Sequence, residues 1–445
     1  MAREEAGQIR LTLLGARSTL CLLAFGLALP PAAWADGAFP DEFSIHFPVA
    51  APDRIIVGAN FGLMVSEDRG ATWRYVCEPY VTEGSSDPLA LINVVHYQVG
   101  ATDGEVFEVA TNYKVRRTGD DGCAWNTSGG AITALNAIDV FPSPTDSQFV
   151  VAIGVNPGGA GSSLVASHDG GATFDTTLNT DPNLFASVEV SAGATAGTGT
   201  IYATLSGPGI AKLLRSDDLG ATWPKSSSYD LPALPNGSTQ VARIIAIDPE
   251  DASTVYLRLL GPPYDAIAIA TAGGQSITVA QSITGSAFTA FARGTDKTLY
   301  AGTSDGKLYI RPPGATAFNA PISGPHFRCL GQRFGNTTDL YACGDMFQDG
   351  FSVGVSHDKG QTFQKVMKLS EMQGTLTCPA VQTKCAAHWA RIQSVFATDG
   401  GTTTPDGGGG QQPGSKGGSC STTGAGSFAA LALLAAALRK GARRA

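Results

Sequence analysis

Ser66 to Trp73 reads SEDRGATW, and three further stretches repeat it: Ser167 to Phe174 (SHDGGATF), Ser216 to Trp223 (SDDLGATW) and Ser356 to Phe363 (SHDKGQTF). The shared pattern, S-x-D-x-G-x-T-W/F, describes a tight hairpin. Gly70, Gly171, Gly220 and Gly360 supply the residue that tolerates a positive φ. Asp68, Asp169, Asp218 and Asp358, with their Ser and Thr partners, offer short oxygen-bearing side chains to backbone groups that such a turn leaves unpaired. The closing Trp73, Phe174, Trp223 or Phe363 is placed to plug apolar space at the unit's outer edge and hold strand register. A diverged copy, TGDDGCAW, runs from Thr118 to Trp125; it keeps Asp120 and Gly122 but has Ala124 where the others have Thr. Two weaker echoes, ATAGGQSI around Gly274 and IRPPGATAF around Gly314, lack the Asp.

Counting outward from these turns, the copies fall about 40 to 54 residues apart, the period of a four-stranded propeller blade. Segments such as APDRIIVGANFG, SPTDSQFVVAIG, DPEDASTVYLRLL, GTDKTLYAGTSDG and NTTDLYACGD recur in phase with them, each joining a polar turn to a β-rich run. Between the chain ends no long helical periodicity appears. The pattern predicts an all-β fold: a single β-propeller of seven four-stranded blades occupying residues 36–397, expected to be a monomer. An acid that recurs at the same turn of every unit has a role the units share, so the turn aspartates are expected to be structural.

The octapeptide is similar to the Asp box, and the chain resembles the BNR-type propellers that carry it. That group includes sialidases, xyloglucanase-type glycoside hydrolases, sortilin-like receptors and photosystem II assembly factors, so the resemblance implies a fold without selecting a function. A sialidase-like site would need an arginine triad, a Tyr/Glu pair and an acid. The F-R-I-P signature of that family is missing; the nearest string, Asp53-Arg54-Ile55-Ile56, matches the repeated strand entry instead. Arg243, Arg258 and Arg328 are the arginines that could converge. Resemblance to the xyloglucanase-like hydrolases directs attention to Asp103 in ATDG (residues 101–104) and Asp305 in TSDG (residues 303–306) as catalytic candidates. A D-G pair between two strands is also an ordinary hairpin signature, and that family carries two tandem propellers where this chain has one. The expected function is therefore a non-catalytic module binding a protein or polysaccharide, with a glycoside hydrolase as the alternative.

Both chain ends read as addresses. Arg10 and Arg17 precede an apolar run from Leu20 to Leu29, which closes on Ala33-Trp34-Ala35, so residues 1–35 are expected to be a signal peptide cleaved after Ala35. Residues 398–419 form a Gly/Thr/Pro-rich spacer, and residues 420–445 combine Cys420, an apolar run from Phe428 to Leu438 and an Arg-rich end. That run is short for a permanent span and suits transient membrane insertion. The tail resembles the MYXO-CTERM sorting signals, which implies processing near Cys420 and retention at the outer cell surface.

Cys77, Cys123, Cys329, Cys343, Cys378 and Cys385 remain between the addresses, and an exported chain would pair them. Proximity favours Cys329 with Cys343 and Cys378 with Cys385, leaving Cys77 with Cys123. No CxxC or H-E-x-x-H spacing marks a metal site and no nucleotide fingerprint stands out, so no metal or cofactor is expected. A formal net charge of −8 excludes a nucleic-acid ligand, which would call for clustered Lys and Arg.

Overall fold

The computed structural model describes residues 42–399, apart from 84–95, 110–112, 159–160, 194–197, 238, 240, 334 and 337. The expected signal peptide with Ala35, the expected spacer beyond residue 399 and the tail with Cys420 lie outside the described residues.

Each octapeptide folds into the same circuit of hydrogen bonds. In the first, Ser66 Oγ accepts the Gly70 N–H at 2.8 Å and donates to Asp68 Oδ1 at 2.9 Å. Asp68 then accepts the Thr72 N–H at 2.8 Å and the Thr72 hydroxyl at 2.6 Å. The copies beginning at Ser167, Ser216 and Ser356 repeat all four bonds. In the diverged copy Ala124 N–H reaches Asp120 at 2.8 Å, and the hydroxyl bond is lost with the Thr. Gly70, Gly122, Gly171, Gly220 and Gly360 all take positive φ, where a side chain would be strained. The donated bonds hold Asp169 and Asp358 down at about 2, with Thr173 and Thr362 as the largest contributors. These carboxylates are spent on their own turns.

Seven sheets of four antiparallel strands follow one another along the chain, giving a seven-bladed β-propeller. The innermost strands of blades 1 to 7 are Glu42–His46, His96–Val99, Asn136–Pro142, Leu184–Val190, Val241–Asp248, Phe288–Arg293 and Cys329–Gly331. The Gly274 and Gly314 echoes mark complete blades: blade 5 has the longest strands of the ring, and blade 6 turns through Pro312–Asn319. Apolar side chains pack between consecutive blades, as Phe185, Val188 and Ile201 of blade 4 do against Ile153, Leu164 and Ala166 of blade 3. Because strands alternate in direction, the connections from strand 1 to 2 and from 3 to 4 share one face, the octapeptide face. Connections from 2 to 3 and from 4 to the next blade share the opposite face.

Blade 1 is built wholly from the first described residues and blade 7 wholly from residues up to Met367, so among the described residues no blade strand is exchanged where the ring closes. The inner strands of blades 1 and 7 pack side by side, and the chain after Met367 returns to blade 1. Gln373 N–H donates to Trp73 O at 3.0 Å, Tyr75 N–H to Gly374 O at 2.9 Å and Leu376 N–H to Tyr75 O at 3.0 Å, tying the returning chain to blade 1's outer edge through one parallel bridge, Tyr75 with Thr375. Blade 2 treats blade 3 in the same way, with Gly129–Gly130 running parallel to Thr173–Phe174. The strap ends in the helix Pro379–Asp399, which the sequence pattern did not anticipate.

Cys329 pairs with Cys343 as expected, but the other two pairings are corrected. Cys77 bonds Cys385 and Cys123 bonds Cys378, because the returning strap brings residues 378–385 against blades 1 and 2. Closing a loop of this length restricts the unfolded chain more than closing a short one. We expect C77A/C385A to lose about 4 kcal/mol in denaturant unfolding, because the nested Cys123–Cys378 bridge already shortens the loop it closes, against about 3 for C329A/C343A. The reverse ranking would mean that packing at the seam between blades 7 and 1, and not the strap, holds the ring shut.

Candidate functional site

The site is built from a recurring irregularity. The innermost strands of blades 1, 3, 4, 5 and 6 each carry a register shift against their neighbour, at Glu42/Ser44, Ala137/Asp139, Phe185/Ser187, Ile244/Ala246 and Phe288/Ala290. A bulge twists the strand and unpairs backbone groups on an edge that already faces the axis with no strand beyond it. Side chains of the preceding blade satisfy those groups. Asp139 Oδ2 accepts Val188 N–H at 3.2 Å, Ser187 Oγ accepts Ile244 N–H at 2.7 Å and Glu189 Oε2 accepts Ile247 N–H at 3.1 Å. Asp265 Oδ2 likewise accepts Phe288 N–H at 3.1 Å.

These strands place an ionisable cluster around the axis. Arg243 on blade 5 interacts electrostatically with Asp139 on blade 3 and with His96 on blade 2. Neither blade neighbours blade 5, so the interactions cross the central channel. The groups meet channel water on one side and are ringed by protein on the others. That enclosure raises Asp139 to about 6, with Arg243 pulling against it, and raises Glu189 to about 8, with the Asp139 charge adding to the effect. Enclosure also lowers His46 to about 4, while His96, exposed to the channel, is pushed down by the surrounding protein and by Arg243. At neutral pH Glu189 therefore holds its proton, both histidines are neutral, and Asp139 and Arg243 carry opposite charges. Asp139 uses both oxygens on backbone N–H groups, of Val140 and Val188, while the Arg243 guanidinium has no hydrogen-bond partner among the described residues. A cavity of about 450 Å³ lies at the octapeptide-face end of this channel, lined by Ser44, His46, Gln98, Phe141, Glu189 and Phe291 among others.

The candidates named from sequence do not assemble. Asp103 lies between strands 1 and 2 of blade 2, on the octapeptide face, where it pairs with Arg54; Arg54 also reaches Asp121 at 2.6 Å. Asp305 lies between strands 2 and 3 of blade 6, on the opposite face. Standing on opposite faces, the two cannot flank one glycosidic bond. Burial works to raise the Asp305 pKa, but bonds from Lys307 at 2.6 Å, Ser286 at 2.5 Å and Thr303 at 2.6 Å hold it well below the usual range. Of the three arginines, Arg243 and Arg258 stand opposite each other on the first two strands of blade 5, but Arg258 is taken by Asp265 at 2.5 Å, and Arg328 on blade 7 lies 3.9 Å from Asp345, so no triad forms. Sequence reading missed Asp139 and Glu189. The available signal was an isolated charge within an apolar strand run, as in NAIDVFP, LFASVEV and VARIIAID.

No protein-family model matches the chain, and neither does any curated protein. Among solved structures, YCF48 from Cyanidioschyzon merolae is similar at 13% identity over 72% of this chain and 95% of its own, with a TM-score of 0.47. A GH74 enzyme from Niastella koreensis is similar at 13% identity over 74% of this chain, with a TM-score of 0.48; this chain spans only 54% of that one. The Cps50 (Swd1) β-propeller domain from Myceliophteria thermophila matches at 11% identity over 71% of this chain and 96% of its own, TM-score 0.47. Likeness at this level says nothing of what this chain does.

The raised Glu189 has a consequence for stability. Its folded form binds a proton more tightly than the unfolded chain does, so its contribution is present below about 4.5 and is lost as pH rises through about 8. E189Q, which cannot ionise, should match the parent's melting temperature at pH 4 and exceed it by several degrees at pH 9. Parallel melting curves across that range would refute the assignment.

Proposed function

We propose that this propeller is a non-catalytic binding module that holds an acidic partner, protein or polysaccharide, at its central channel. The observation that carries this reading is Arg243: an enclosed guanidinium that faces the channel, with Asp139 as its one counter-charge and no hydrogen bond of its own among the described residues. Channel water solvates it, and a carboxylate entering the channel would replace that water and take up its donors in bidentate fashion. Phe141, Phe291 and Gln98 at the mouth add the apolar and amide contacts by which a recognition surface holds its partner.

We further infer that the chain is exported and held at the outer cell surface by its MYXO-CTERM-like tail, and that its turns belong with the Asp boxes of BNR-type propellers. Three disulfides suit an oxidising compartment and support export. One observation favours a glycoside hydrolase as a second reading: Asp139 and Glu189, at about 6 and about 8, are neighbouring carboxyls whose environments push them apart, the pattern of an acid and base couple. Against it stands their engagement with backbone N–H groups of the next blade.

The test immobilises the full chain and passes over it acidic and neutral polysaccharides and carboxylate-bearing peptides, scoring retention and released products by mass spectrometry. Acidic members should be retained without cleavage, and R243Q should weaken retention about 10–100-fold. Released sugar that disappears in D139N or E189Q would replace this reading with the hydrolase.

A further inference from the structure

Of the three octapeptide tryptophans, Trp73 and Trp125 are buried, whereas Trp223 is half-exposed. The difference follows from chain path. Where a blade's tail runs on past its fourth strand, that tail covers the next octapeptide: residues 373–376 lie along Trp73–Tyr75, and Gly129–Gly130 along Thr173–Phe174. The Tyr80 hydroxyl bonds Cys123 O in the turn that ends at Trp125. Blade 3 has no such tail, since its outer strand Thr176–Asp181 passes through Pro182 and Asn183 directly into blade 4's inner strand at Leu184. The flank of Trp223 is therefore left open, and a groove of about 300 Å³ occupies the outer wall between blades 3 and 4, on the ring's circumference and away from the channel.

The groups around the indole are arranged by charge. Lys212 pairs with Asp230 at 2.5 Å and Arg215 with Asp217 at 2.7 Å, which neutralises both cations. Asp181 uses Oδ1 on the backbone and side-chain N–H groups of Asn183, both at 2.8 Å, and Oδ2 accepts nothing among the described residues. The Asn179 amide nitrogen and the Lys225 ammonium are likewise without partners among the described residues, Asn179 using its oxygen on Thr180 N–H at 2.8 Å. What remains is one acceptor of negative charge, one positive donor and one neutral donor beside an aromatic face whose own N–H is spent on Gly220 O at 3.1 Å.

From this geometry we infer that the groove is a second binding site, a subsite for a neutral sugar ring. A pyranose has an apolar C–H face and a rim of hydroxyls that each donate and accept. The C–H face stacks on Trp223, and adjacent hydroxyls donate to Asp181 and accept from Asn179 and Lys225. Because the free charges cancel, the groove favours a neutral ring over an acidic one. The site stands apart from the channel and does not depend on Arg243.

The experiment titrates the full chain with neutral gluco-, manno-, galacto- and xylo-oligosaccharides, following tryptophan fluorescence and heat of binding. At least one should bind; W223A should weaken it about 10-fold or more, W223F should retain most of it, and N179A and D181N should weaken it while leaving the melting curve in place. N179A and D181N lie outside the octapeptide, so they stay informative if W223A unfolds the turn. R243Q should leave this binding unchanged. The inference is overturned if none of the sugars binds, if binding survives in folded W223A, N179A and D181N, if R243Q abolishes it, or if an apolar peptide occupies the groove in their place.

Discussion

Every blade of this ring presents one strand edge to the axis with no further strand to pair it, and that unpaired backbone governs the centre of the molecule. The bulges at Ala137/Asp139 and Phe185/Ser187 sharpen the problem by freeing additional N–H groups where water has limited access. An N–H left without a partner there costs a sizeable fraction of a domain's net stability. Asp139, Ser187 and Glu189 answer it by reaching from one blade to the next, so the polar residues of the channel are also the joints of the ring. Ionisable side chains are consequently concentrated at the axis, with displaced pKa values, for reasons of construction. A channel lined in this way has recognition chemistry available before any ligand is considered.

The second constraint is closure. A ring assembled blade by blade from one end of the chain to the other has a seam that no shared strand covers. The solution is an extension of a device used elsewhere in the ring, since residues 373–376 lie along blade 1 as Gly129–Gly130 lie along blade 3. At the seam that contact must also hold the chain's two halves together, and Cys77–Cys385 and Cys123–Cys378 reinforce it. The third disulfide, Cys329–Cys343, joins adjacent strands within blade 7 and has no part in closure.

What the sequence disclosed and what it concealed divide along the same physical line. The octapeptide is a local object: its bonds run from residue i to i+2 or i+4, so Ser66, Asp68, Gly70 and Thr72 can be recognised together and the blade count follows from their spacing. The two disulfides of the strap join residues separated by 308 and 255 positions, and proximity in sequence pointed to the wrong partners because closure, a property of the whole ring, decides them. Asp103 and Asp305 were visible because D-G hairpins are conspicuous. Yet the strand connection in which each sits puts them on opposite faces, which only the strand count within the blade reveals. Asp139 and Glu189 were hidden by the lack of any local motif, and Arg243 was named only for a triad that does not form, for their roles arise when blades 2 to 5 are brought around one axis.

The two sites differ in the origin of their unspent groups. Trp223 is open because a tail is missing: Pro182 and Asn183 turn the chain into blade 4 before it can cover the octapeptide, as it does at Trp73 and Phe174. Arg243 is open because its nearest counter-charge, Asp139, has already committed both oxygens to backbone groups of blades 3 and 4. In the first case the fold leaves an aromatic face without its usual cover, and in the second it leaves a guanidinium without its usual acceptor. The tail that covers Trp73 and Phe174 is absent at Trp223, and the acceptor that Asp265 gives Arg258 is absent at Arg243. The two openings therefore arise independently, one from the chain path on the circumference and one from the allocation of hydrogen bonds at the axis, so a change at one leaves the other in place.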